Sequence, residues 1–89
     1  MRKREATKPL FFYILGDATT VIYNCNEAIV AGTYVISGNA TNKPNVSGVL
    51  TLEVLTQNTN VTQRATHPST NTTYTRCLYL NSWTSWKEL

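Results

Sequence analysis

Apolar and polar residues alternate along this chain in short runs broken by Gly, Pro, Asn or Asp, a pattern that predicts strands joined by turns. The clearest run follows Gly48, from Val49 to Thr56, where Leu50, Leu52 and Val54 share one face. Leu55 lies beside Glu53 on the other face, so burial there is partial. A turn at Gln57-Asn58-Thr59 leads into Asn60 to Thr66, a second strand with Val61, Gln63 and Ala65 on one side. Gly32 opens a third, Thr33 to Ser37, which Gly38 closes. Leu10 to Leu15, ended by Gly16-Asp17, and Thr20 to Tyr23 are shorter extended pieces. His67-Pro68-Ser69-Thr70-Asn71 reads as a turn, and Asn39 to Gly48 as a surface loop, since it holds three Asn, one Pro and one Gly. Asn24 can cap a single helical turn with Glu27 at the capping-box spacing, and Val30 and Gly32 keep that turn short. No internal repeat, heptad or long helical stripe is present.

The segment Tyr74 to Leu89 gathers both tryptophans and two of the five tyrosines. It reads as a closing hairpin with a polar turn at Asn81-Ser82. Trp83 and Trp86 are three positions apart, and a flat strand of period two sends them to opposite faces. On that geometry one belongs to the core and the other faces a partner, a ligand or water.

Composition supports the same fold class. The chain has 15 Thr, which suit strands, and 9 Asn, which suit turns. The expectation is therefore a mainly β domain, a small antiparallel sheet or sandwich-like knob with at most one short helical turn near residues 24–29. A chain of 89 residues forms one domain and buries only roughly 60 to 65% of its unfolded surface. Such a domain is marginal without a disulfide, a metal or an oligomer.

The net charge of +3 is local. Residues 1–8 carry Arg2, Lys3, Arg4 and Lys8 against Glu5, 4 − 1 = +3, while the remaining four cations and four carboxylates cancel. Residues 1–16 read as a basic leader plus a first extended segment, and 17–89 as the domain. A basic tip on a neutral body is not the spread basic face that nucleic acid requires, so no nucleic-acid partner is expected. No apolar run approaches the roughly 18 residues of a spanning helix, so no membrane insertion is expected either.

Chemistry is sparse. The single histidine, His67, precedes Pro68 in a turn, and it forms no common metal-ligand spacing with Cys25 or Cys77. The carboxylates are scattered singly, and there is neither a phosphate-binding glycine loop nor a nucleophile motif. The expectation is no enzyme, no catalytic residue, no metal and no cofactor. Cys25 and Cys77, if they met, would add on the order of 4 kcal/mol through loop closure, and Asn39, Asn45, Asn60 and Asn71 match the N-glycosylation sequon. Those two features leave open a secreted or viral, disulfide-bonded, glycosylated ectodomain that binds proteins.

Taken in order, Asn24-Cys25-Asn26-Glu27-Ala28, Gly32-Thr33-Tyr34, Gly48 to Val54, Val61 to Ala65, Tyr74-Thr75-Arg76 and Trp83 to Leu89 resemble the pyocin knob domain of bacteriophage tail fibres and phage-tail-like bacteriocins. The resemblance spans residues 17–89. Its signature positions correspond here to Asn26, Gly32, Tyr34, Gly48, Gln63, Tyr74, Arg76, Trp83 and Trp86, and it implies that most of them hold the fold. The two cysteines, and Asn81-Ser82 where a Gly-containing turn is expected, depart from the pattern.

The resemblance implies a non-enzymatic module of a tail fibre or tailocin fibre, located in the virion tail and assembled in bacterial cytoplasm. There both cysteines would stay free and the sequons unused. It implies a homotrimer, contact with the rest of the fibre, and host attachment at or near the receptor-binding tip through cell-surface polysaccharide. Aromatic faces and amides suit sugars, so candidate contacts are Tyr34, Asn39, Asn42, Asn45, His67, Asn71, Tyr79, Trp83 and Trp86.

Overall fold

The computed structural model describes residues 20–89. The basic leader, the extended segment Leu10 to Leu15 and the boundary at residues 16–17 lie outside the described residues. Seven strands follow: β1 (Val21–Asn24), β2 (Gly32–Thr41), β3 (Leu50–Gln57), β4 (Asn60–His67), β5 (Thr72–Tyr79), β6 (Ser82–Trp83) and β7 (Lys87–Glu88). They form one curled sheet in the order β1-β2-β3-β4-β5-β6, with β7 also pairing β5. The domain is mainly β as expected. Among the described residues it is one sheet rather than a sandwich of two, and one pair, β1 with β2, is parallel.

Register explains which side chains meet. Leu50, Leu52 and Val54 of β3 are buried, and their partners across the ladders fall on the same face. One row runs Tyr34, Leu52, Ala65, Tyr74, and the next runs Gly32, Val54, Gln63, Arg76. A third holds Thr56, Val61, Leu78 and Trp83. With Ile36 and Leu50 these rows form a core covered by Cys25, Ala28 and Ala40. Burying each large aliphatic side chain contributes about 1.5–3 kcal/mol, so four such residues, Ile36, Leu50, Leu52 and Val54, carry much of a small domain. The opposite face is rich in threonine: Thr51, Thr66 and Thr73 stand directly opposite one another.

The turns are set by asparagine. Asn58, Asn71 and Asn81 each adopt positive φ in a hairpin loop, a conformation their short polar side chains tolerate. The last loop is displaced by one residue from the expected Asn81-Ser82. Tyr79 pairs with Ser82, so the loop is Leu80-Asn81, and both take positive φ, 52° and 64°. Two successive positive φ values give the I′ turn whose twist matches the flanking strands.

β2 is longer than its glycine suggests. Ile22 pairs with Ile36 but Asn24 pairs with Thr41, so one residue of β1 stands against residues 37–40. This bulge lets the chain pass through Gly38 and keeps Asn39 on the strand. The loop that follows is therefore residues 42–49, shorter than expected. It folds back so that a Cβ on Gly38 would lie 3.6 Å from the Gly48 carbonyl carbon.

Between β1 and β2 a single 3-10 turn, Cys25–Glu27, crosses above the core. Asn24 caps it, its Oδ1 accepting from the Asn26 N–H at 3.0 Å. Tyr34 folds over Gly32, where an added Cβ would sit 3.4 Å from the phenol oxygen, and its hydroxyl donates to the Val30 carbonyl.

Candidate functional site

The 3-10 turn ends over β4, and that placement exposes its carbonyls to Gln63. Gln63 is fully buried, and a buried amide must find partners on both ends. Its Nε2 donates to Cys25 O at 2.7 Å and to Ala28 O at 2.9 Å. Its Oε1 accepts from Nε of Arg76 at 2.8 Å, directly across the β4–β5 ladder. Arg76 is only 6% exposed. Its Nη2 donates to Asn26 Oδ1 at 2.9 Å.

A guanidinium this deep needs a substitute for lost water. Two tryptophans supply part of it. The Trp83 ring lies 3.9 Å and the Trp86 ring 4.7 Å from Cζ of Arg76, within the range where ring quadrupoles attract a cation, worth about 2 kcal/mol when desolvated. Burial lowers the Arg76 pKa from its ordinary value, and the neighbouring Cys25 acts in the opposite sense. The same burial pushes the Cys25 thiol up, which Arg76 and Lys43 partly oppose.

Both tryptophans reach one guanidinium because the edge strand is bulged. Trp83 pairs with Leu78, Thr84 N–H donates to Cys77 O at 2.8 Å, and Lys87 pairs with Thr75. Ser85 and Trp86 therefore both stand opposite the single residue Arg76. The extra residue cancels the period-two alternation. The opposite-face geometry of a flat strand is thus overturned: both rings are half-buried and pack against the core.

Trp86 then closes a circuit. Its Nε1 donates to the Asn42 carbonyl at 2.9 Å, and Asn42 Nδ2 donates to Asn24 Oδ1 at 2.9 Å. That same oxygen caps Asn26, which accepts from Arg76. The two chain ends of the sheet, β1 and the β6–β7 edge, are tied through these side chains.

The structure thus draws Asn26, Gln63, Arg76, Trp83 and Trp86 into one cluster. Tyr34 and Tyr74 are half-buried on the core face beside it, and Gly48 sits at φ 96°, facing His67. Of the candidate contact residues, Asn45 is exposed in the loop, and Asn39 and Asn42 are exposed on and just after β2. His67 is the last residue of β4, paired with Thr72, so the turn expected from His67 is residues 68–71 and ends on Asn71; His67 Nδ1 lies 3.0 Å from Thr70 Oγ1. Tyr79, 58% exposed, lies at the opposite end of the sheet, beside the Leu80-Asn81 turn. The candidates do not form one surface.

Asn24 and Asn42 as links of the circuit escape a sequence reading, because their partners are 18 and 44 positions away. Pro44, a mark of a surface loop in the sequence, is instead buried within that loop. Cys25 and Cys77 are both free, the first buried in the core. Cys77 follows inward-facing Arg76 and so lies on the outer face, its Sγ 3.6 Å from Thr62 Oγ1; a bridge between the two is not formed. Among the described residues no three His, Cys, Asp or Glu side chains gather to hold a metal ion, and no helix is long and apolar enough to cross a membrane.

No curated protein and no solved structure matches the chain significantly. The sequence model of one family, the XkdV N-terminal domain, matches residues 11–89. With nearly the whole sequence covered, the strand-rich fold and its tryptophan-clamped arginine belong to a protein of the XkdV N-terminal domain family, a family associated with bacteriophage tails.

Proposed function

We propose that this chain is a non-catalytic structural module of a phage tail, a fibre domain that joins copies of itself to the rest of the fibre and holds the host-attachment apparatus in place. The observation that carries this reading is the use made of the recognition-type side chains. Trp83, Trp86, Arg76, Gln63 and Asn26, which on a surface would suit a glycan, are turned on one another and satisfied internally. Their arrangement supports a stiff spacer. The kinship with pyocin knobs rests on the residue resemblance. Self-association, as a trimer, is favoured by the small core and by exposed Val21, Leu55 and Tyr79.

Immunogold labelling of intact particles with antibody raised against the domain tests the assignment. Gold at the distal tail, with loss of host attachment when the domain is deleted, is the expected outcome. Its absence from assembled particles overturns the reading. Sedimentation equilibrium of the purified protein tests the trimer, and a monomer at all concentrations would refute it.

A second reading has one observation of its own. Residues 42–49 and the turn 68–71 lie at one end of the sheet, where Gly48 faces His67 at the end of β4, and their amides offer both donors and acceptors to sugar hydroxyls. On this reading the loop end touches host polysaccharide, and Asn45→Ala with Asn71→Gly, which keeps the positive φ of the turn, abolishes glycan binding while fold and oligomer persist. Retained binding in the double variant would eliminate it.

A further inference from the structure

The polar cluster around buried Gln63 and Arg76 is unusual in its chemistry rather than its size. Both of Arg76's hydrogen-bond acceptors among the described residues are amide oxygens, Gln63 Oε1 and Asn26 Oδ1. Nε and Nη2 form the edge of a guanidinium that ordinarily grips a carboxylate in bidentate fashion. Here two neutral amides occupy that edge and two indole faces cover the plane. Every other link of the circuit also ends on an amide or a backbone carbonyl. We propose that this clamp is indifferent to acid: it holds the closing edge strand in place across the range in which carboxylates become protonated.

The charged and titratable groups around the clamp support this. The 3-10 turn contributes Cys25, whose thiol is neutral and kept so by burial. Residues 42–49 contribute Lys43, whose ammonium donates to the Val46 carbonyl. β4 presents neutral Gln63, and the β6–β7 edge presents the two indoles. Glu27, next to Asn26, and Glu88, opposite Tyr74, are exposed. Protonating any of these carboxylates removes none of the clamp's hydrogen bonds. An arginine held by Asp or Glu would behave otherwise, since its partner's depressed pKa gives stability that is lost as pH falls through it.

The test separates the clamp from the general effect of acid on a protein that gains positive charge. Urea midpoints are measured at pH 7 and pH 3.5 for the native chain and for Arg76→Lys, which keeps the positive charge and loses the guanidinium edge. The expected result is that the gap between the two proteins is the same at both pH values, whether or not both midpoints shift together. A gap that shrinks markedly at pH 3.5 overturns the proposal and reveals a carboxylate partner. Should Arg76→Lys fail to fold, the near-UV circular dichroism of the native protein decides. Unchanged tryptophan bands between pH 7 and 3.5 support the proposal, and their loss with far-UV signal retained defeats it. Asn26→Asp supplies a positive control that places a carboxylate on the same edge. Its midpoint should exceed the native one at pH 7 and lose that advantage at pH 3.5.

Discussion

Replacing Gln63 by methionine removes an amide of similar length and three hydrogen bonds: Ala28 O and the Nε of Arg76 lose their partner, and Cys25 O keeps only the Ala28 N–H. Each neutral hydrogen bond contributes about 1 kcal/mol and the charge-assisted one about 2, and buried groups left unpaired cost at least that much. The sum is about 4 kcal/mol, because Cys25 and Ala28 are buried at 0% and 2% exposure and water cannot readily replace the amide. A domain of this size is stable by roughly 0.05–0.15 kcal/mol per residue, so this one substitution removes a large part of the total. Chemical denaturation followed by tryptophan fluorescence measures it. With a urea m-value of about 1 kcal/mol/M, the midpoint should fall by roughly 3–4 M, or the variant should be unfolded in buffer. A midpoint lowered by less than about 1 M, with an unchanged slope, would show that the 3-10 turn does not depend on Gln63.

Other consequences are smaller and separate. Leu80→Asn should stabilise the domain by about 1 kcal/mol, because Leu80 is 79% exposed and pays for a positive φ that asparagine tolerates; an unchanged or lowered melting temperature would count against the I′ turn. Asn24→Ala loses the cap on Asn26 and the anchor for Asn42, a destabilisation of about 1–2 kcal/mol by thermal unfolding. Gly48→Ala should cost about 1 kcal/mol through its φ of 96° alone, since His67 leaves ordinary contact distance for a methyl group. In native protein a thiol reagent should modify half-exposed Cys77 first and Cys25 only on unfolding; equal rates would contradict the burial of Cys25.

What could be read in advance was whatever depends on period and local chemistry. The inward set Leu50, Leu52, Val54 and its neighbour Val61, Gln63, Ala65 follows from alternation alone, and the cap at Asn24 from residue type. The placement of Trp86 did not, because a bulge at Ser85-Trp86 resets the alternation and leaves no mark in hydrophobicity. Gly38 likewise suggested an end to β2 where the chain instead bulges and continues to Thr41. Nor does spacing show that Gln63 serves a turn 35 and 38 residues earlier in the chain. Such pairings follow from the β1–β2 parallel crossover and the register of β4 with β5, which are properties of the whole sheet.

The closing tryptophans carry the heaviest claim, that recognition-type residues here serve the fold. A double-mutant cycle on Arg76→Met and Trp83→Leu, read by equilibrium unfolding, tests it most directly. With the Trp83 ring 3.9 Å from the guanidinium, the two substitutions should be coupled by about 1 kcal/mol or more. Strict additivity of the two losses, with each variant folded, would mean that the indole does not hold the arginine.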